Sequence, residues 1–87
     1  SVKLMKYTKD NYSKIYDKIS EFVFNEDSEY EVILKNGKTR IMLGKNKLST
    51  KIKYLNSFDQ AFDGAKEITD YRYIDLRFNK QVIVKES

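Results

Sequence analysis

YIDLRFNKQVIV, residues 73–84, alternates over its first half: Ile74, Leu76 and Phe78 fall on one side of an extended chain, and Tyr73, Asp75 and Arg77 on the other. That period of two is the signature of a half-buried strand. Asn79-Lys80 then supplies a two-residue loop, because asparagine tolerates the positive φ of a tight hairpin turn. Closing the chain there sets Phe78 opposite Gln81, Leu76 opposite Ile83 and Arg77 opposite Val82. The returning segment, Gln81 to Val84, is apolar on both faces and stands close to the last residue, Ser87. A strand in that place is predicted to be a sheet edge, with a row of backbone donors and acceptors open to another chain.

The neighbouring segments supply the rest of a sheet and its cover. Leu48, Ile52, Leu55, Phe58 and Phe62 recur at helical spacing, and Gly64 is a natural stop just beyond them. Lys45, Lys47, Lys51 and Lys53 gather at the start of this helix and Asp59 and Asp63 at its end, against the macrodipole. Its apolar stripe must therefore dock. Gly44 ends the strand before it, and that strand belongs to EYEVILKNGKTRIML, residues 29–43. Asn36-Gly37 is the preferred type I′ loop of a hairpin. Closure there pairs Val32 with Ile41, Tyr30 with Leu43 and Leu34 with Thr39 on one face, leaving Glu31, Ile33, Arg40 and Met42 on the other. A slip of one residue would mix the faces, so the register is well specified.

Earlier in the chain, EFVFN (21–25) is a short strand candidate with Phe22 and Phe24 on one side, and residues 25–29 form a polar turn. Asp10 or Asn11 caps a helix, Asn11 to Ser20, whose Tyr12, Ile15, Tyr16 and Ile19 share one face. Residues 2–7, VKLMKY, read as extended or irregular, with Leu4 and Tyr7 as core contacts. Residues 65–72 read as a polar connection whose Tyr71 already belongs to the following strand. The order helix, strand, hairpin, helix, hairpin describes one α+β domain. It is expected to be an antiparallel β-sheet of about five strands with two packed helices, ending in an exposed edge strand.

Composition narrows what such a domain does. Its 87 residues hold 40% hydrophobic side chains, with seven tyrosines and five phenylalanines, enough for one small core. It has neither Cys nor His, which removes thiol nucleophiles, histidine bases and the usual zinc ligand sets. No apolar run approaches the roughly 20 residues of a membrane helix, and none of these residues is expected to act as a signal peptide. The chain begins at Ser1 without a methionine, so any targeting or membrane segment is expected upstream in a longer protein.

The net charge of +4 is unevenly spread: residues 32–58 hold seven Lys or Arg and no acid, and residues 21–31 five acids and no base. GKNKLST (44–50) has the residue types of a phosphate loop but not the GxxxxGK[ST] spacing. Glu26, Asp27, Glu29 and Glu31 lack the spacing of an EF-hand. Asp75 and Arg77 read as an ion pair on a strand surface, since a catalytic acid would want a second carboxylate or a base nearby. The basic region is spread over both faces of a hairpin and around a helix, with Tyr54 or Tyr30 as stacking groups. It leaves a small basic nucleic-acid-binding domain as the alternative function. No catalytic residue, cofactor or metal is expected.

Three blocks now stand in order: VILKNGKTRIMLG, KLSTKIKYLNSFDQAF and YIDLRFNKQVIVK. That series resembles the C-terminal β domain of the FtsQ/DivIB bacterial cell-division proteins, over about residues 10–86. The resemblance lies in the NG hairpin, its Leu43-Gly44 ending, the Lys-Leu helix start, the Ile74-Asp75-Leu76-Arg77-Phe78 strand and the short last strand. It implies a scaffold on the extracytoplasmic side of a single-span inner-membrane protein, with a POTRA domain and a membrane segment upstream. The implied partners are FtsB (DivIC in Gram-positive bacteria) and, through it, FtsL, with no small-molecule substrate and no nucleic acid. In that family the partner adds a strand to the last β-strand. By motif, the implied contact residues are Tyr73, Asp75, Arg77, Phe78, Gln81, Val82, Ile83, Val84 and Lys85. Two positions depart from the family pattern: Glu86 stands where some relatives carry an aromatic, and residues 25–31 are acidic where some carry an arginine.

Overall fold

The computed structural model describes residues 2–62, 67–77 and 83–86. Two antiparallel strands lie at its centre, β2 (Tyr30–Leu34) and β3 (Arg40–Gly44). Val32 faces Ile41, Ile33 faces Arg40 and Glu31 faces Met42, as the alternation requires. A bulge after Tyr30 moves that residue opposite Gly44 rather than Leu43.

The loop between these strands differs from the expected type I′ turn. Gly37 takes a positive φ of 73°, and Asn36 does not. Asn36 acts through its side chain instead. Its Oδ1 accepts from the backbone N–H of Lys38 and Thr39 at 3.0 and 3.1 Å. Its Nδ2 donates to Thr39 Oγ1 at 2.9 Å and to the Thr69 carbonyl at 3.1 Å. Asparagine thus ties the hairpin to a distant segment while bonding its own turn.

From β3 the chain enters α3 (Leu48–Gln60), then a 3₁₀ turn (Ile68–Asp70), and returns as β4 (Tyr71–Asp75). β4 lies parallel to β3, with Arg40 beside Tyr73, Ile41 beside Ile74 and Met42 beside Asp75. The sheet is therefore not antiparallel throughout. A helix that crosses from one strand end back to the opposite end delivers the next strand in the same direction. The last strand, β5 (Ile83–Glu86), is antiparallel to β4.

The final hairpin is one residue out of the expected register: Asp75 faces Ile83, Ile74 faces Val84 and Tyr73 faces Lys85. One bond stops β4 at Asp75. The Leu76 N–H still donates to Met42 O at 2.9 Å, in line with the β3 ladder. The Arg77 N–H instead donates to Asp75 Oδ1 at 2.9 Å, so it is taken up by the side chain two residues back. The expected Asn79-Lys80 loop lies outside the described residues.

The N-terminal segment carries the largest correction. Residues 2–7 are helical, not extended: α1 spans Val2–Asn11, and a single turn, α2 (Ser13–Tyr16), follows. Leu4 and Thr8 are buried one turn apart. Threonine tolerates this burial because its hydroxyl donates to the Leu4 carbonyl at 2.8 Å. Tyr12, at φ −138°, breaks the helix that was expected to run to Ser20. Ile19 instead opens β1 (Ile19–Phe24), which pairs with β2.

The sheet order is β1-β2-β3-β4-β5. Its inner face, with Val32, Leu34, Ile41, Leu43, Ile74 and Leu76, shares a core with Ile15, Ile52, Leu55 and Ile68, and each is at most 1% exposed. Leu48, Phe58 and Phe62 form a half-buried rim to this core. Phe58 and Phe62 stack near Tyr71, with ring centroids 5.9 and 5.8 Å away. α3 ends at Gln60 with Ala61 as its cap, and Gly64 lies outside the described residues. Among the described residues, no helix is long and apolar enough to cross a membrane.

Candidate functional site

Among the described residues, the sheet order leaves β5 with one strand neighbour, β4. Ile83 and Val84 are 43% and 39% exposed, and Lys85 is exposed beside them. Apolar side chains on a short edge form a surface that a further strand can cover, with main-chain bonds for affinity and alternate side chains for selection.

Beside this edge, Asp75 organises a polar corner. Its side chain is 2% exposed. Oδ1 accepts from the Arg77 N–H at 2.9 Å and from Nε at 3.0 Å. Oδ2 accepts from Nη2 of Arg77 at 2.7 Å and from the Tyr73 hydroxyl at 2.8 Å. Arg77 Nη1 then reaches Glu29 Oε1 at 3.3 Å. Burial alone pushes the Asp75 carboxyl up, but the bonds from Arg77 and Tyr73 outweigh it and hold the group below its ordinary range. The same bond to Asp75, followed by burial, pushes the Tyr73 phenol up. Arg77, held by Asp75, is shifted further upward and stays charged.

Two more residues fix the corner. Lys51, on the second turn of α3, is only 8% exposed. Its ammonium donates to the Leu76 carbonyl at 2.6 Å and to the Arg77 carbonyl at 3.0 Å, just where β4 ends. Gly44, at φ 88°, passes under the Arg77 side chain, and a Cβ there would sit 3.3 Å from Arg77 Cγ. The acidic turn is used in the same way. Asn25 Oδ1 accepts from the Asp27 and Glu29 N–H groups, and Asn25 Nδ2 donates to Glu31 at 2.7 Å. That geometry aims Glu29 at Arg77 and Glu31 at Arg40.

The residues singled out by motif divide accordingly. Tyr73, Asp75 and Arg77 come together in one bonded cluster, with Asp75 buried at its centre. Ile83, Val84 and Lys85 line the edge. Phe78, Gln81 and Val82 lie outside the described residues. Lys51, Gly44 and Glu29 were not anticipated as parts of the site. Lys51 carries a sequence signal: it stands three residues after Leu48 and four before Leu55, within the apolar stripe of α3.

The sequence matches the model of the family described as FtsQ/DivIB, C-terminal related, over residues 1–85. The chain belongs to that family. The family is related to the FtsQ/DivIB C-terminal domain and is distinct from FtsQ itself, so the expected resemblance holds at that coarser level. A search of curated proteins found no match. Membership in the FtsQ/DivIB-related family ties the fold to proteins of bacterial cell division.

Proposed function

We propose that this domain is a non-enzymatic scaffold of the cell-division apparatus, acting at the septum, and that it takes up a strand of an FtsB/DivIC-like partner along β5. Through that partner it connects to FtsL-like proteins and links early with late division components. The parent protein is a single-pass protein of the inner membrane, with a POTRA domain and the membrane segment before Ser1 and this domain on the extracytoplasmic side. The observation that supports the reading is the edge: β5 ends the sheet order with Ile83 and Val84 exposed. Family membership gives it context.

In this assignment Ile83, Val84 and Lys85, with Gln81 and Val82 before them, receive the partner strand. Tyr73, Asp75 and Arg77 shape the surface beside it, and Phe78 is assigned to the same contact by motif. Asp75 acts from inside, by holding Arg77 in place. Hydrogen exchange tests the reading. Amides from Ile83 to Glu86 that face away from β4 should gain protection when an FtsB/DivIC-like peptide is added, since strand addition occupies them. Unchanged exchange along β5 at saturating peptide refutes it.

A further inference from the structure

The face of the sheet turned away from the helices carries an open groove of about 810 Å³, lined by Lys38, Arg40, Arg72, Tyr73 and Lys85. The register places these residues together. Arg40, Tyr73 and Lys85 stand side by side on β3, β4 and β5. Arg72 precedes Tyr73, and Lys38 comes from the hairpin loop. All four cations are exposed. Among the described residues, Arg40 is the one of the four with an ion-pair partner, Glu31 at 3.4 Å. Like charges crowded around one groove repel one another, and a bound anion relieves that repulsion.

We propose that this groove receives a short acidic segment of the partner chain, continuous with the stretch that pairs with β5. The proposal rests on the strand-addition reading above. Neighbouring strands are about 4.8 Å apart, so a strand added beyond β5 lies roughly 10 Å from Tyr73 and about 14 Å from Arg40. A carboxylate within the paired stretch meets Lys85 but not Arg40 or Lys38. Crossing the groove takes about four or five extended residues at ~3.3 Å each, so the acids belong to a flank of the paired stretch.

The geometry also says which flank. Lys85 stands near the C-terminal end of β5, and the groove opens there, beside the first residues of β3 and β4. A partner antiparallel to β5 carries its acids just before the paired stretch, and a parallel one just after it. The groove favours a peptide over a nucleic acid because its cationic patch is short. The row of Lys85, Tyr73 and Arg40 continues to Ile33 and then to the exposed Glu21. A few carboxylates fit so short a patch, whereas a long run of phosphates would extend past it onto Glu21.

The test uses a peptide of five glutamates, with five glutamines as control, titrated into the domain and followed by amide chemical shifts. Shifts confined to Lys38, Arg40, Arg72, Tyr73 and Lys85, absent with the glutamine peptide, are expected. The double variant Lys38→Glu/Arg72→Glu should weaken the glutamate peptide at least fivefold, and its unchanged thermal midpoint would show that the fold is intact. Equal shifts with both peptides, or no loss in the variant, overturn the proposal. So does tighter binding of a ten-nucleotide single strand, or a dimer in sedimentation that the double variant dissolves, because another occupant then fills the groove. Strand addition is read separately, by exchange along β5, so either idea can fail alone.

Discussion

Replacing Lys51 with methionine isolates the ammonium that closes the end of β4. Methionine keeps most of the aliphatic stem, so the packing loss stays below about 1.5 kcal/mol. What disappears is a pair of charge-assisted bonds, to Leu76 O at 2.6 Å and Arg77 O at 3.0 Å. Hydrogen bonds to charged groups contribute roughly 1.5–3 kcal/mol each, and a buried carbonyl left without a donor costs about 1–3 kcal/mol. Leu76 is 1% exposed, so its carbonyl recovers little from water, whereas Arg77 stands at the exposed rim. Returning the lysine to water in the unfolded chain offsets part of the total, and a net loss of about 2–3 kcal/mol remains. For a domain of this size, with roughly 4–13 kcal/mol of stability, that is a large fraction. Urea unfolding followed by circular dichroism should show a lower midpoint at unchanged slope. Lys53→Met, on the exposed side of the same helix, is the control and should stay within about 0.5 kcal/mol. A Lys51→Met loss no larger than the control would mean that the ammonium does not cap β4, and the account of the corner would fall.

Asp75→Asn should weaken the fold at neutral pH by roughly 1–3 kcal/mol, toward the lower end because the Arg77 side chain is 36% exposed. Since the Asp75 carboxyl lies below its ordinary 3.8 when folded, its contribution is complete above that value and is lost as pH falls through the lower, folded one. The difference in urea midpoint between wild type and variant should therefore shrink between about pH 5 and pH 2, and a constant difference would refute it. Gly44→Ala should cost about 1–2 kcal/mol or more, because alanine is strained at φ 88° and its Cβ meets Arg77 Cγ at 3.3 Å. Gly37→Ala, at φ 73° in open space, should cost less and leave the Arg77 Nε resonance unmoved, whereas Gly44→Ala should shift it.

Alternation along Tyr30–Leu34 and Arg40–Gly44 was enough to set which face of the central hairpin is buried, because a side-chain period of two leaves one workable register. The 3.6-residue stripe of α3 was legible for the same reason, and Ile52 and Leu55 are fully buried. α1 escaped notice because its inward stripe contains Thr8, a residue whose burial depends on a bond to Leu4 O that composition does not announce. The last hairpin slipped by one residue because apolar residues on both faces of Gln81–Val84 specify register weakly. Asp75, by binding the Arg77 amide, then ended the strand early.

By itself, then, the sequence determined the element types of the central hairpin and of α3 and the α+β class, since these follow from local periodicity. The tertiary structure decided the parallel pairing of β3 with β4, the burial of Lys51 and the gathering of Lys38, Arg40, Arg72 and Lys85 around Tyr73. In each, residues of β3, its hairpin loop or α3 meet residues about 25 or more positions later in the chain, and their meeting depends on how α3 returns the chain across the sheet, a packing outcome that no short-range pattern encodes.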